Sequence, residues 1–143
     1  MQSESGGYQT FQGPFFSLRL PSHWEIEVIE NMPAFFDPEG NGVLQVAALK
    51  RQGQDYDIQA ELERYLAQNQ IEADPERMSR FRLPSGLNGI AVEYIVDNRF
   101  WMVNALGAGN QCLLAIYNSD EVPDQGMAML ISEALASIEF MHS

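Results

Sequence analysis

The sequence predicts an α+β fold in which helices pack on the faces of an antiparallel β-sheet. Three observations support this prediction. Residues 15–50 alternate apolar and polar side chains between sharp turn signals, which indicates four strands. Residues 55–70 and 123–138 carry apolar side chains at helical spacing. Residues 78–117 return to a strand pattern with room for four more strands.

The first four strands are separated by short turns. Their apolar residues form two predicted rows, namely Phe16, Leu18 and Leu20, then Trp24, Ile26 and Val28. The turn at 37–42, DPEGNG, is predicted to be a hairpin whose glycines supply positive backbone dihedrals. It resembles half of a calcium-binding loop, but the twelfth position is Ala48 within a predicted strand, so a hairpin turn is favoured.

The first helix is predicted over 55–70, with Asp55 or Asp57 as its N-cap. The Asp74–Pro75 step interrupts the helical pattern. The last three of the four strands that follow are largely apolar on both faces, so we expect them to be covered on both sides, most simply by helices. Pro123 is well placed near the start of the last helix. Phe140 and Met141 are predicted to pack back onto the body.

At 143 residues the chain fits one domain. We predict a flexible N-terminal segment at 1–12 and a single domain at 13–143. The first twelve residues lack the features of a signal peptide, and no window reaches eighteen apolar residues. The lone Cys112 gives no sign of an oxidising compartment. The sequence therefore predicts a cytoplasmic protein by default.

The charge balance is strongly acidic, with a net charge of −12 and Lys50 as the only lysine. Nucleic-acid binding relies on lysine and arginine, so we expect no nucleic-acid partner. The same charge disfavours anionic membranes, and no membrane partner is predicted. A basic protein partner is compatible with it.

The residues that carry enzyme chemistry are sparse. One cysteine and two histidines, His23 and His142, do not make a metal cluster. Cys112 lies on an apolar strand face, which is typical of an inert buried thiol rather than a nucleophile. No phosphate-binding glycine motif occurs, and the paired carboxylates are typical of solvated surfaces. We therefore predict no catalytic residue, no metal and no cofactor.

Aromatic residues are the remaining candidates for binding. Trp101 shares a predicted strand face with Arg99, and an aromatic ring beside an arginine is typical of a protein interface. The predicted interaction surface consists of Arg99, Trp101 and Tyr117. An alternative is a small-ligand or lipid pocket between sheet and helix, lined by groups such as Trp101 and Tyr117.

The order of elements resembles the PsbP-like superfamily. Its members often begin with a phenylalanine-rich strand and a Pro-x-x-Trp turn, here FSLRLPSHWE with Pro21 and Trp24. They often end with a helix and a Ser-x-x-Phe segment, here Ser137 to Phe140. The resemblance implies an α/β/α sandwich around an antiparallel sheet, and a role in binding rather than catalysis. It carries over no functional residue, because the matching positions build the fold.

Two functions of different class follow from these observations. The first is a non-enzymatic protein-binding or adaptor domain whose partner is another protein. The second is the small-ligand module. An apolar outer strand face would favour a homodimer.

Overall fold

The computed structural model describes residues 7–13, 16–29, 32–50, 56–72 and 74–140. The strands of this part of the chain are β1 Tyr8–Gln12, β2 Phe16–Pro21, β3 Glu25–Ile29, β4 Met32–Phe36, β5 Val43–Lys50, β6 Ser79–Arg82, β7 Asn88–Val96, β8 Arg99–Ala108, β9 Gln111–Ser119 and β10 Glu139–Phe140. The α-helices are α1 Ile58–Gln68 and α2 Gln125–Ala136, and a single 3-10 turn spans Pro75–Arg77. The fold is therefore α+β, as predicted.

The strands form two antiparallel sheets. A large sheet has the order β3-β4-β5-β9-β8-β7-β6, and a small sheet has the order β1-β2-β10. All four strands predicted within 15–50 are present, but they do not form one sheet. The first of them, β2, pairs with β1 and β10, whereas the other three open the large sheet. The reason is that pairing is a long-range choice that local alternation does not encode.

Both faces of the central strands are covered, as their apolar pattern predicted. On one face, which we call the α1 face, Leu62 and Leu66 of α1 pack with Val103 of β8. On the opposite face, α2 and the small sheet together form the second layer, with Leu18 and Ile131 in the same cluster. The simplest form of the expectation, cover by helices, does not hold for this second layer, because Phe16, Leu18 and Leu20 of β2 belong to the same cluster.

The predicted apolar row of Trp24, Ile26 and Val28 is buried only at Trp24. Trp24 lies in the turn before β3 and joins the core, whereas Ile26 and Val28 lie on β3 and are exposed. Ile26 and Val28 are exposed because β3 is the terminal strand of the large sheet.

The prediction of a flexible segment at 1–12 is wrong for residues 8–12, which form β1. This strand pairs along its whole length with β2. Its Phe11 ring packs edge-on against Phe35 of the large sheet, with 5.1 Å between ring centroids. Residues 1–6 lie outside the described residues. β1 therefore closes the core over β4.

Both helices begin at an aspartate. The Asp57 carboxylate accepts hydrogen bonds from the backbone N–H groups of Gln59 and Ala60 at 3.1 and 3.2 Å, while Asp55 lies outside the described residues. Asp124 caps α2 by accepting from the Met127 N–H at 2.8 Å. These caps satisfy donors that the first helical turn leaves without partners.

The 37–42 turn is a hairpin connection between β4 and β5, as predicted. Asp37 organises it, since its carboxylate accepts from the Glu39 N–H at 2.9 Å and its carbonyl accepts from the Gly40 N–H at 2.8 Å. The expectation of positive dihedrals at its glycines is wrong. Gly42 is needed for space instead, because an added Cβ would collide with the Tyr117 hydroxyl and lie 2.5 Å from its Cζ.

The C-terminal part returns to the body, as predicted for Phe140. β10 pairs with β2, with Phe140 opposite Phe16. Just before it, the Ser137 hydroxyl accepts a hydrogen bond from the Arg19 N–H at 2.8 Å. Met141 lies outside the described residues. The last helix is thus tied to the second strand of the chain.

Candidate interaction surface

Arg99, Trp101 and Val103 lie at alternate positions of strand β8, so they share one face of the sheet. Because Val103 packs with α1, this is the α1 face. Tyr117 lies on the opposite face. In the register of β8 and β9, Trp101 faces Asn118, whereas Tyr117 faces Met102. Tyr117 is only 3% exposed and packs against the Phe100 ring, with 6.4 Å between the ring centroids. The structure therefore brings Arg99 and Trp101 together and removes Tyr117 from the predicted surface.

Trp101 is held by a stacked partner. Its ring lies nearly parallel to that of Tyr94, with 6.3 Å between centroids and 10° between planes. The two residues are directly opposite in the β7–β8 register, and both are half-buried. Tyr94 also packs in the cluster beneath α1 that includes Tyr65. The indole is thus fixed at the margin of α1 with part of its surface open.

Arg99 is fixed by two hydrogen bonds. Its Nε donates to the side-chain oxygen of Asn118 at 2.7 Å, and its Nη1 donates to the Asp120 carboxylate at 2.5 Å. Asn118 belongs to β9, and Asp120 immediately follows that strand. A guanidinium has five N–H donors, so donors remain for a partner. We call the group of Tyr94, Arg99, Trp101, Asn118 and Asp120 the β8 surface.

Burial raises the pKa of Tyr94 to about 12, and the neighbouring Tyr65 adds to the effect. Burial also raises the pKa of Tyr65. Burial acts this way because it disfavours the charged phenolate. Above pH 10 the Tyr94 phenol loses its proton in the unfolded chain but keeps it in the folded protein. The free energy of unfolding is therefore unaffected by this group below pH 10 and decreases as the pH rises towards 12.

The Tyr94→Phe variant is therefore expected to lose less stability than the wild type between pH 10 and pH 12. Its free energy of unfolding, measured by urea denaturation at several pH values, should fall with a smaller slope. Parallel curves for the two proteins would show that Tyr94 does not titrate as described.

An open groove lies on the other side of the molecule, between the small sheet and α2. Its volume is about 470 Å³, and Arg19, Pro84, Leu130 and Ser137 contribute to its walls. The Arg19 guanidinium lies 5.8 Å from the centre of the Tyr8 ring, which also lines the groove. The pocket predicted between sheet and helix cannot be lined by both Trp101 and Tyr117, because these side chains lie on opposite faces.

Groups associated with catalysis are scattered. His23 lies 3.5 Å from Asp37, but its side chain is exposed at the surface. Cys112 is buried, as its strand position predicted. Among the described residues, no three side chains of histidine, cysteine, aspartate or glutamate are grouped closely enough to hold a metal ion. His142 lies outside those residues.

Tyr94 was one of several aromatics that the sequence offers for binding, but sequence reasoning did not place it beside Trp101, because its strand is apolar on both faces. The signal that would have found it is the two-residue turn at 97–98. Such a turn places residue 94 directly opposite residue 101. The two-residue turn at 109–110 similarly places Asn118 opposite Trp101. Turn length thus predicts register, and register predicts the group of side chains.

Neither α-helix of the described part of the chain is long and apolar enough to cross a membrane.

Comparisons with known proteins bear on the fold. No protein-family model matches the sequence, and no curated protein matches it. The structure is similar to a crystal structure of a protein from Bacteroides thetaiotaomicron VPI-5482, with a TM-score of 0.65 and 19% sequence identity. The match covers 94% of this chain and 49% of the other, so this chain spans about half the length of that protein. The likeness shows a shared fold.

Proposed function

We propose that this chain is a small protein-binding domain that meets another protein through the β8 surface. The observation that carries the proposal is the pairing of a rigid aromatic stack with an arginine whose guanidinium is already oriented. Tryptophan, tyrosine and arginine dominate the binding energy of protein interfaces. The proposed role is recognition of a partner rather than catalysis.

The geometry keeps the cost of binding low. Ordering a side chain at an interface costs about 0.5–1.5 kcal/mol when the side chain has many rotamers. Trp101 is held by Tyr94, and Arg99 is held by Asn118 and Asp120. These side chains have little rotational freedom left to lose, so most of their contact energy is retained.

The PsbP-like resemblance belongs to this proposal, because binding is the common theme of that superfamily. The residues that carry the resemblance are structural in this chain. Trp24 is in the core, and Phe140 pairs with β2. The β8 surface is formed by other residues, so the resemblance supports the class of function and leaves the partner to experiment.

The proposal predicts that a partner captured from an extract of the source organism depends on the β8 surface. Immobilised wild-type protein should retain at least one protein that Arg99→Gln and Trp101→Ala lose, by about tenfold in quantitative mass spectrometry, which corresponds to about 1.4 kcal/mol. Arg99→Gln removes the charge and the forked donors while keeping a polar chain of similar length.

Met129→Ala provides the matched control, because Met129 is an exposed apolar residue on α2. It should retain the same proteins as the wild type. Circular dichroism and thermal unfolding establish that each variant is folded at the temperature of the experiment. If folded Arg99→Gln and Trp101→Ala capture the same proteins as Met129→Ala, the β8 surface is not the binding site.

A further inference from the structure

Within the part of the chain that the structure describes, the outer edge of β3 is an open edge of the large sheet. β3 is the terminal strand, and all five of its residues are exposed. Val28 is 69% exposed, Ile29 is 45% exposed and Ile26 is 37% exposed. An exposed apolar edge strand is a template for pairing with another chain, because its outward N–H and C=O groups have no neighbouring strand.

The opposite edge of the same sheet carries features that oppose pairing. β6 has only four residues, and two of them are arginines. The Arg80 side chain donates to Gln59 of α1, and the Arg82 side chain donates to Asn88. Pro84 follows soon after the strand. Charged side chains, lysine above all, together with short length and proline are among the devices by which proteins protect sheet edges. β3 is one residue longer, has no basic residue and no proline, and is charged only through the carboxylates of Glu25 and Glu27.

The two faces of β3 differ in chemistry. Glu25 and Glu27 lie on the α1 face, whereas Ile26 and Val28 lie on the opposite face, because side chains alternate along a strand. A strand laid against this edge would face two carboxylates on one side and two apolar side chains on the other. Opposite charges directly across a strand pair are favourable, and like charges are unfavourable.

We propose that the outer edge of β3 binds an extended segment of another protein in which basic residues alternate with apolar ones. The segment adds a strand to the large sheet, its backbone pairs with β3, and its basic side chains face Glu25 and Glu27. The overall charge of −12 attracts such a segment over a longer range. The inference extends the proposed function to a second surface and so shares its premise of a protein partner.

A second copy of the chain fits this edge poorly. When two β3 strands pair about a two-fold axis, the antiparallel register that matches all five residues places Glu27 opposite its own copy. Like charges directly opposite destabilise a strand pair. Each copy also carries a charge of −12. The charge pattern therefore favours a basic segment over self-pairing.

The test uses a synthetic seven-residue peptide that alternates lysine with valine, with its ends capped. Hydrogen exchange should show increased protection at β3 amides, and isothermal titration should give a dissociation constant. Glu27→Lys should weaken binding about fivefold. One cross-strand attraction is replaced by a repulsion, and the total change in binding free energy is about 1 kcal/mol. A peptide of the same composition with its lysines grouped together should bind more weakly.

Two matched variants separate edge pairing from general attraction. Glu93→Lys changes the net charge equally at an exposed position on β7 and should leave binding within about twofold. Val28→Thr should weaken binding, whereas Val122→Thr, at a side chain that is 62% exposed elsewhere, should not. Trp101→Ala should bind the peptide normally, so failure at β3 and failure at the β8 surface are distinguishable.

The proposal is overturned if the β3 amides gain no protection, or if Glu27→Lys and Glu93→Lys weaken binding equally. It is also overturned if the protein alone shows concentration-dependent protection of β3 together with a dimer mass in analytical ultracentrifugation. That result would assign the edge to a second copy of the chain.

Discussion

Gly42→Ala is expected to lower the free energy of unfolding by about 3 kcal/mol. The added Cβ would collide with the Tyr117 hydroxyl and lie 2.5 Å from its Cζ. Tyr117 is buried and packs against Phe100, so its ring cannot move aside without disturbing the core. Forcing additional atoms into a packed core costs about 1–3 kcal/mol. Urea unfolding followed by circular dichroism measures the loss.

Gly40→Ala is the matched control in the same turn. The nearest atoms to its added Cβ belong to Asp37 at 3.6 Å, which is ordinary contact. This variant should remain within about 0.5 kcal/mol of the wild type. The double variant Gly42→Ala with Tyr117→Val should lose less stability than the two single losses added together, because the smaller side chain vacates the space. Equal losses at Gly42 and Gly40 would rule out the contact with Tyr117 as the cause.

Trp24→Ala is expected to lower the free energy of unfolding by about 3–5 kcal/mol, the usual cost of removing a buried aromatic ring. Trp24 is 4% exposed and lies in the cluster that joins the large sheet to the small sheet. The loss is measurable by urea unfolding followed by circular dichroism. Loss of under 1 kcal/mol would contradict the burial of this ring.

Trp24→Phe should keep most of the stability that alanine loses. The indole Nε1–H of Trp24 is buried, with no hydrogen-bond partner among the described residues. A buried donor without a partner costs about 1–3 kcal/mol, and phenylalanine removes that donor. We therefore expect Trp24→Phe to fall within about 1 kcal/mol of the wild type. If phenylalanine costs as much as alanine, the indole N–H contributes a bond that the described contacts do not include.

Strands β2 to β9 were predictable from the sequence because each shows local alternation, whereas β1 and β10 were not predicted as strands. Residues 16–21 alternate so that Phe16, Leu18 and Leu20 share a face, and all three are buried. Which sheet receives the strand was not predictable, because β2 finds its partners at β1 and β10. The exposure of Val28 was also not predicted, because it depends on which strand lies at the end of the large sheet. β3 is that strand, and Val28 is exposed on it.

The candidate site was predictable in part. Arg99 and Trp101 share a face by the two-residue period of a strand alone. Tyr117 required a cross-strand register, and the two-residue turn at 109–110 places it opposite residue 102 rather than residue 101. The oxygen atoms that hold Arg99 come from Asn118 and Asp120, which no local pattern connects with Arg99. Side-chain grouping across strands depends on turn geometry more than on composition.

The tie between β2 and the end of α2 has a consequence for how the protein is made. Arg19 and Ser137, which share a hydrogen bond, are 118 residues apart in the chain. At a synthesis rate of about 5–20 residues per second, the ribosome needs roughly ten seconds to make the segment between them. During that interval β2 lacks two of its neighbours, α2 and β10, although the large-sheet strands against which its apolar residues pack are already made. The small sheet is therefore completed only after α2 and β10 have been made.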